Sequence, residues 1–150
     1  MNMSTSSARN AMPFWLSLGV VPRLLIGAKF GGFLTFLVPL YAWYLFSILD
    51  RLLGMNKENP DPNTGDDQLV LYRLITMIWF PIQFVMIYGL IYFVTHTNHL
   101  TTTEVIVLFF SLGVSSGTIG IVYSHELLHQ RNRLERWLGD LLLASVLYSH

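Results

Sequence analysis

Three uncharged runs constrain this chain more than anything else in it. Residues 30–49, 74–95 and 105–124 contain no Asp, Glu, Lys or Arg. Twenty residues of α-helix measure about 30 Å, the thickness of a bilayer's hydrocarbon core. The whole chain is consistent with that origin. Of its 150 residues 53% are hydrophobic and 12% charged, roughly half the charged share of a soluble domain. Mean hydropathy is +0.49 and the formal net charge is zero, so a basic nucleic-acid binder is excluded. With no cysteine, these residues supply no disulfide, thiolate metal site, iron–sulfur cluster or cysteine nucleophile. The expectation is an all-α, multi-spanning transmembrane helical protein, with residues 1–150 forming a single membrane domain.

The flanks set the course of the chain. Residues 1–12 are polar, Ser-rich and lightly basic through Arg9; 14–28 is apolar but broken by Pro22 and Arg23. A signal peptide is the rival reading of such a start, but Arg23 and Lys29 fall within and after the apolar part and no small-residue cleavage site follows. Orientation comes from the basic residues. The loop 50–73 carries Arg51, Lys57 and Arg73, the loop 96–104 carries neither Lys nor Arg, and Arg131, Arg133 and Arg136 follow the third run. The 50–73 loop and the segment after Ser124 should therefore face the cytoplasm, in an inner (plasma) membrane. An N-terminus inside then requires 14–28 to cross and turn within 27–32, as a helical hairpin. A further apolar stretch begins at Trp137, interrupted by Asp140.

Several features have bland explanations. The acidic, turn-rich loop 54–67 lacks the glycine and glutamate spacing of a calcium loop, so it reads as a solvated connection. His96 and His99 lie at the opposite end of the bundle from His125 and read as ordinary loop histidines. Gly113, Ser116, Gly117 and Gly120 form two small-xxx-small pairs, spacing that lets helices approach closely. A floor for a narrow substrate cavity is the other reading. Trp43, Tyr44 and Phe46 read as interfacial anchors rather than the lining of a hydrocarbon channel.

The candidate chemistry is concentrated at the end of the third run, in Ser124-His125-Glu126-Leu127-Leu128-His129-Gln130. Four residues apart on a helix, His125 and His129 share one face and can hold one transition-metal ion between them. Ionisable side chains beside a membrane span are costly and tend to be functional, which argues against two idle polar residues. Two metal readings remain open on these letters alone. His125-Glu126-Leu127-Leu128-His129 fits H-E-x-x-H, the helix of zinc proteases, with Glu126 as general base. The rival is a membrane iron oxygenase, in which imidazoles hold iron and leave positions for dioxygen.

The wider text, from Ser124-His125-Glu126-Leu127-Leu128-His129-Gln130 through Arg136-Trp137-Leu138-Gly139-Asp140 to Leu147-Tyr148-Ser149-His150, resembles the integral-membrane alkane monooxygenases. These belong to the histidine-box superfamily that includes the fatty-acid desaturases. Upstream, Ile48-Leu49-Asp50-Arg51-Leu52-Leu53-Gly54 with Asn59-Pro60 looks like the cytoplasmic end of that family's second helix. The resemblance implies a six-helix membrane enzyme, about four of whose spans are here, with a cytoplasmic non-haem di-iron centre. It implies hydroxylation of a terminal C–H bond of an alkane or similar hydrophobic substrate. Dioxygen and electrons from rubredoxin and its reductase, or a ferredoxin-type donor, would be consumed. His125 and His129 would be iron ligands, Glu126 would stand behind them, and His150 would precede the second histidine box. That box and the third are absent from these residues, so the chain is expected to be an N-terminal fragment, inactive alone. A membrane zinc metalloprotease, a desaturase-like enzyme and a non-enzymatic helical membrane subunit are the alternatives.

Overall fold

The computed structural model describes residues 14–53 and 66–148. The acidic loop, Arg9 and His150 lie outside the described residues, as do the side chains of 45–46 and 48–72, Phe46 among them. All regular structure in the described residues is helical. A 3₁₀ turn, Leu16–Gly19, leads into α1, Val20–Phe30; a second, Gly32–Phe36, leads into α2, Leu37–Leu53. Helix α3 runs Asp66–His96 and α4 Thr102–Ser115. A π-helical turn, Ser116–Gly120, joins α4 to α5, Ile121–Leu128, and α6 follows at Arg133–Ser145.

Among the described residues two helices are long and apolar enough to cross a membrane, Arg73–His96 and Thr102–Leu128; Gly32–Tyr44 is apolar but shorter. Only 33% and 39% of the apolar windows of the two long helices are buried. Phe33, Trp43, Val85 and Tyr88 point outward, Trp43 with 77% of its surface exposed. Apolar surface of that extent is stable against lipid and not against water. This is a membrane helical protein.

Polar contacts fix the order of crossings. The Tyr123 hydroxyl donates to the Phe14 carbonyl at 2.9 Å, so the start of the described chain sits at the His125 end. At the other end the Gly32 amide donates to the Glu104 carboxylate, and His99 Nε2 donates to the Ala28 carbonyl at 3.2 Å. Segment 14–30 therefore runs antiparallel to α4 and α5, and α2 returns beside it as the second limb of a helical hairpin. The reversal lies at Gly31 and Gly32, whose φ values are +63° and +59°. Gly31 combines its φ with a ψ of −154°, a region open to essentially no other residue, and a Cβ there would come within 2.8 Å of the Glu104 carboxylate. Gly27 lets the two limbs close: its added Cβ would meet the Leu34 carbonyl at 2.9 Å.

Two expectations are revised by the packing. The run 30–49 is not one helix, because the glycine reversal interrupts it and α-geometry starts only at Leu37. Pro39 thus falls in the first turn of α2, where it takes the amide from the Thr35 carbonyl; the buried Ser111 hydroxyl, donating to the Val107 carbonyl at 2.7 Å, lies 3.4 Å from that carbonyl. The small residues do not all serve close helix approach either. A Cβ on Gly113 or Gly117 would meet nothing within 4 Å, whereas one on Gly120 would collide with the Gln83 amide. We expect Gly31→Ala to cost about 2 kcal/mol and Gly32→Ala, with open space around it, about 1 kcal/mol. Thermal unfolding in detergent measures both, and equal midpoints would contradict the assigned role of Glu104 at the reversal.

Candidate metal site at the end of the third crossing

α5 carries the histidine pair at its C-terminus. His125 lies in the last turn and is half-buried; His129 is the C-cap residue, exposed, with φ −79° and ψ −5°. Because His129 keeps helical geometry, the two Cβ atoms stay at the i,i+4 separation of about 5–6 Å. Its amide bonds the His125 carbonyl at 3.3 Å. The negative end of the helix dipole adds a weak preference for a cation there. Glu126 is exposed on the same turn.

The chain then reverses within four residues and starts α6. Asn132 caps it, its side-chain oxygen accepting from the Leu134 amide at 3.0 Å. Three residues on, Glu135 is 1% exposed. Its carboxylate accepts from both Arg73 Nε, at 3.3 Å, and Arg73 Nη2, and from Asn132 Nδ2 at 3.3 Å. A carboxylate is tolerable at that burial only because a two-pronged guanidinium and an amide meet it. Glu135 is thus the peg that fixes the turn carrying His129 to Arg73 in α3. Gly139 completes the fit, since a Cβ there would touch the Ser124 carbonyl at 2.9 Å.

Sequence reasoning passed over Glu135 and Arg73. The signal was present: Asn132 and Glu135 stand at capping-box spacing in an otherwise basic stretch. Arg131, Arg133 and Arg136 are exposed around the same turn, beside Trp137 with 67% of its surface free. His96 and His99 lie at the far end of the bundle, as expected. His96 stacks on Tyr92 and bonds its carbonyl at 2.8 Å, while His99 sits edge-on to Phe93.

Among the described residues no group of three His, Cys, Asp or Glu converges as a complete metal site. The imidazole pair fits part of a ligand set. The donor chemistry suits iron or zinc, and the remaining positions need donors from elsewhere.

Comparison with known proteins adds relatives. The chain is 31% identical over 124 residues to alkane 1-monooxygenase 1 of Pseudomonas aeruginosa, covering 79% of this chain and 32% of the relative. It is 29% identical over 146 residues to alkane 1-monooxygenase 2 of the same organism, covering 92% of this chain and 35% of that protein. Over most of its length the chain is similar to alkane 1-monooxygenases. Alkane 1-monooxygenase 1 of Alcanivorax borkumensis is 27% identical over 141 residues, 91% of this chain and 34% of that protein. The chain thus spans about a third of the length of the alkane monooxygenases it matches. No family model and no solved structure matches it.

Removing one half of the Arg73–Glu135 pair strands the other in an apolar setting. We expect Arg73→Ala to cost about 3 kcal/mol, the low end for such pairs because Arg73 is 35% exposed. The double variant Arg73→Met/Glu135→Leu, which leaves no orphan charge, should lose less than Arg73→Ala alone. Unfolding of the three proteins in one detergent provides the comparison.

Proposed function

We propose that this chain is part of a membrane non-haem di-iron monooxygenase that hydroxylates a terminal C–H bond of an alkane or similar hydrophobic substrate. The observation that carries this reading is the similarity to alkane 1-monooxygenases of a chain whose two i,i+4 imidazoles sit at the end of a membrane-length helix. His125 and His129 would be two of the iron ligands, and the rest would come from outside these residues. When bound, the iron would supply activation of dioxygen, which no side chain here can perform. The work of this chain is to hold and shelter. The Glu135–Arg73 pair keeps the His129 turn against α3, and the apolar helices admit a hydrocarbon from lipid while excluding water from the reacting centre.

The remaining calls form one picture. Residues 1–150 belong to a single membrane domain, multi-pass in an inner (plasma) membrane, with the His125 end facing the cytoplasm. The exposed Arg131, Arg133 and Arg136 at that end support this orientation. Electrons would arrive from that side, from rubredoxin and its reductase or a ferredoxin-type donor. Glu126, exposed beside the two histidines, would stand behind the metal rather than act as a base.

Three variants of the full-length protein test this. His125→Ala and His129→Ala should each lose most of the bound iron and all hydroxylation, and Glu126→Gln should keep appreciable iron. Metal analysis with an alkane hydroxylation assay reads all three. One zinc per chain, with proteolysis abolished by Glu126→Gln, would sink the oxygenase reading.

A further inference from the structure

The helix Thr102–Leu128 changes register before it reaches the histidines. In α4 the buried residues are Leu108, Ser111, Leu112 and Ser115, followed by Ser116, Ile119 and Gly120 in the π-turn; of these Leu108, Leu112, Ser115 and Ile119 keep the α-helical repeat. Carried on without interruption, that spacing would next bury Val122 and Glu126. Both are exposed, and the buried residues are Tyr123, Ser124 and Leu127, one position later. The π-turn at Ser116–Gly120 is the cause. One inserted residue rotates all that follows by about 100°, the angle per residue of an α-helix. On the uninterrupted register Glu126 would point into the packed helices with His129 at their edge. On the observed register His129 and Glu126 are exposed and His125 half-buried, so the pair lies on a face that donors from outside this chain can reach.

A π-turn is less favourable than the α-turn it replaces and needs a partner that rewards it. Gln83 is that partner. It is fully buried at membrane depth in α3, ten residues along from Arg73. Its Oε1 accepts from Trp79 Nε1 at 2.8 Å and its Nε2 donates to Ser145 Oγ at 2.7 Å. The amide lies over Gly120, the last residue of the π-turn, where any Cβ would strike it. Trp79 packs edge-on against Tyr123 just beyond, with ring centroids 5.9 Å apart. The amide therefore touches α3, the π-turn and α6 together.

We propose that Gln83 is a positioning residue. Seated on Gly120 and held by Trp79 and Ser145, it locks the π-turn and so decides which face of α5 presents His125 and His129. Its significance for chemistry rests on the di-iron reading above, but the register it holds is a property of the helix and is measurable without metal.

The test uses the full-length protein on a background without other cysteines, with Cys placed singly at Glu126 or Ser124 and labelled by a water-soluble maleimide. With Gln83 present, position 126 should label quickly and 124 slowly. Gln83→Met, of similar volume but without the amide, should let the helix relax by one residue. Labelling at 126 then slows about tenfold, the protection of a site reached only by local opening, while 124 speeds up. Gly120→Ala, which disturbs the same contact from the other side, should give the same inversion. Iron or cobalt affinity of both variants should fall about tenfold to a hundredfold, as for residues that orient metal ligands. An unchanged labelling pattern with a lowered unfolding midpoint would overturn the proposal. So would equally fast labelling at both positions in both variants, since Gln83 would then hold the fold and not the register. An inverted pattern in a protein that binds no iron would leave the positioning role standing and remove the di-iron reading alone.

Discussion

In a bilayer no water reaches the backbone, so every amide and carbonyl at membrane depth must be answered from within the protein. The chain meets that constraint with helices, and its irregular points show how strictly it applies. Pro39 takes one amide away, and the Ser111 hydroxyl, which donates to the Val107 carbonyl at 2.7 Å, lies 3.4 Å from the carbonyl left behind. Ser115, Ser116 and Thr118 turn their hydroxyls onto carbonyls one turn back, at 2.8, 2.6 and 2.6 Å, through the segment where the helix widens. No buried side-chain polar atom among the described residues is left without a partner.

The same constraint makes each polar side chain in the interior a locating device, because it is tolerated only where its partners are. Two such devices, Gln83 and Glu135, sit in the interior at different levels, and Glu104 plays the same part at the surface. Glu104 joins the Gly31–Gly32 reversal to the start of α4, Gln83 joins the middle of three helices, and Glu135 joins α6 to Arg73 at the histidine end. Apolar packing can slide along a crossing at little cost. These contacts cannot, and together they set the height and rotation at which the two imidazoles emerge.

Arg23 shows how one charge is accommodated within the first crossing. Its guanidinium donates to the Gly19 carbonyl at 2.7 Å and lies 3.7 Å from the centre of the Tyr41 ring, whose hydroxyl in turn donates to the Leu16 carbonyl. A charge that looked in the sequence like an interruption of the span is part of the seam between its two limbs, where a ring face and a carbonyl replace some of its lost water.

Much was legible from the amino-acid order alone. Two of the three uncharged runs of bilayer length, 74–95 and 105–124, became the long helices, whereas 30–49 is divided by the glycine reversal. The His125–His129 spacing placed both residues on one face, since four residues make about one helical turn. The reversal was legible only to within 27–32, and it was the structure that placed it at Gly31 and Gly32, whose dihedral angles few other residues reach. Other features were decided only by tertiary contact. Glu135 reads as one more charge in a basic stretch until Arg73, distant in sequence, is beside it. Gly113, Gly117 and Gly120 are alike in sequence, and only the Gln83 amide distinguishes the last. The rotation of α5 was invisible for the same reason. A π-turn has no local sequence signature strong enough to predict, because what stabilises it is a partner on another helix.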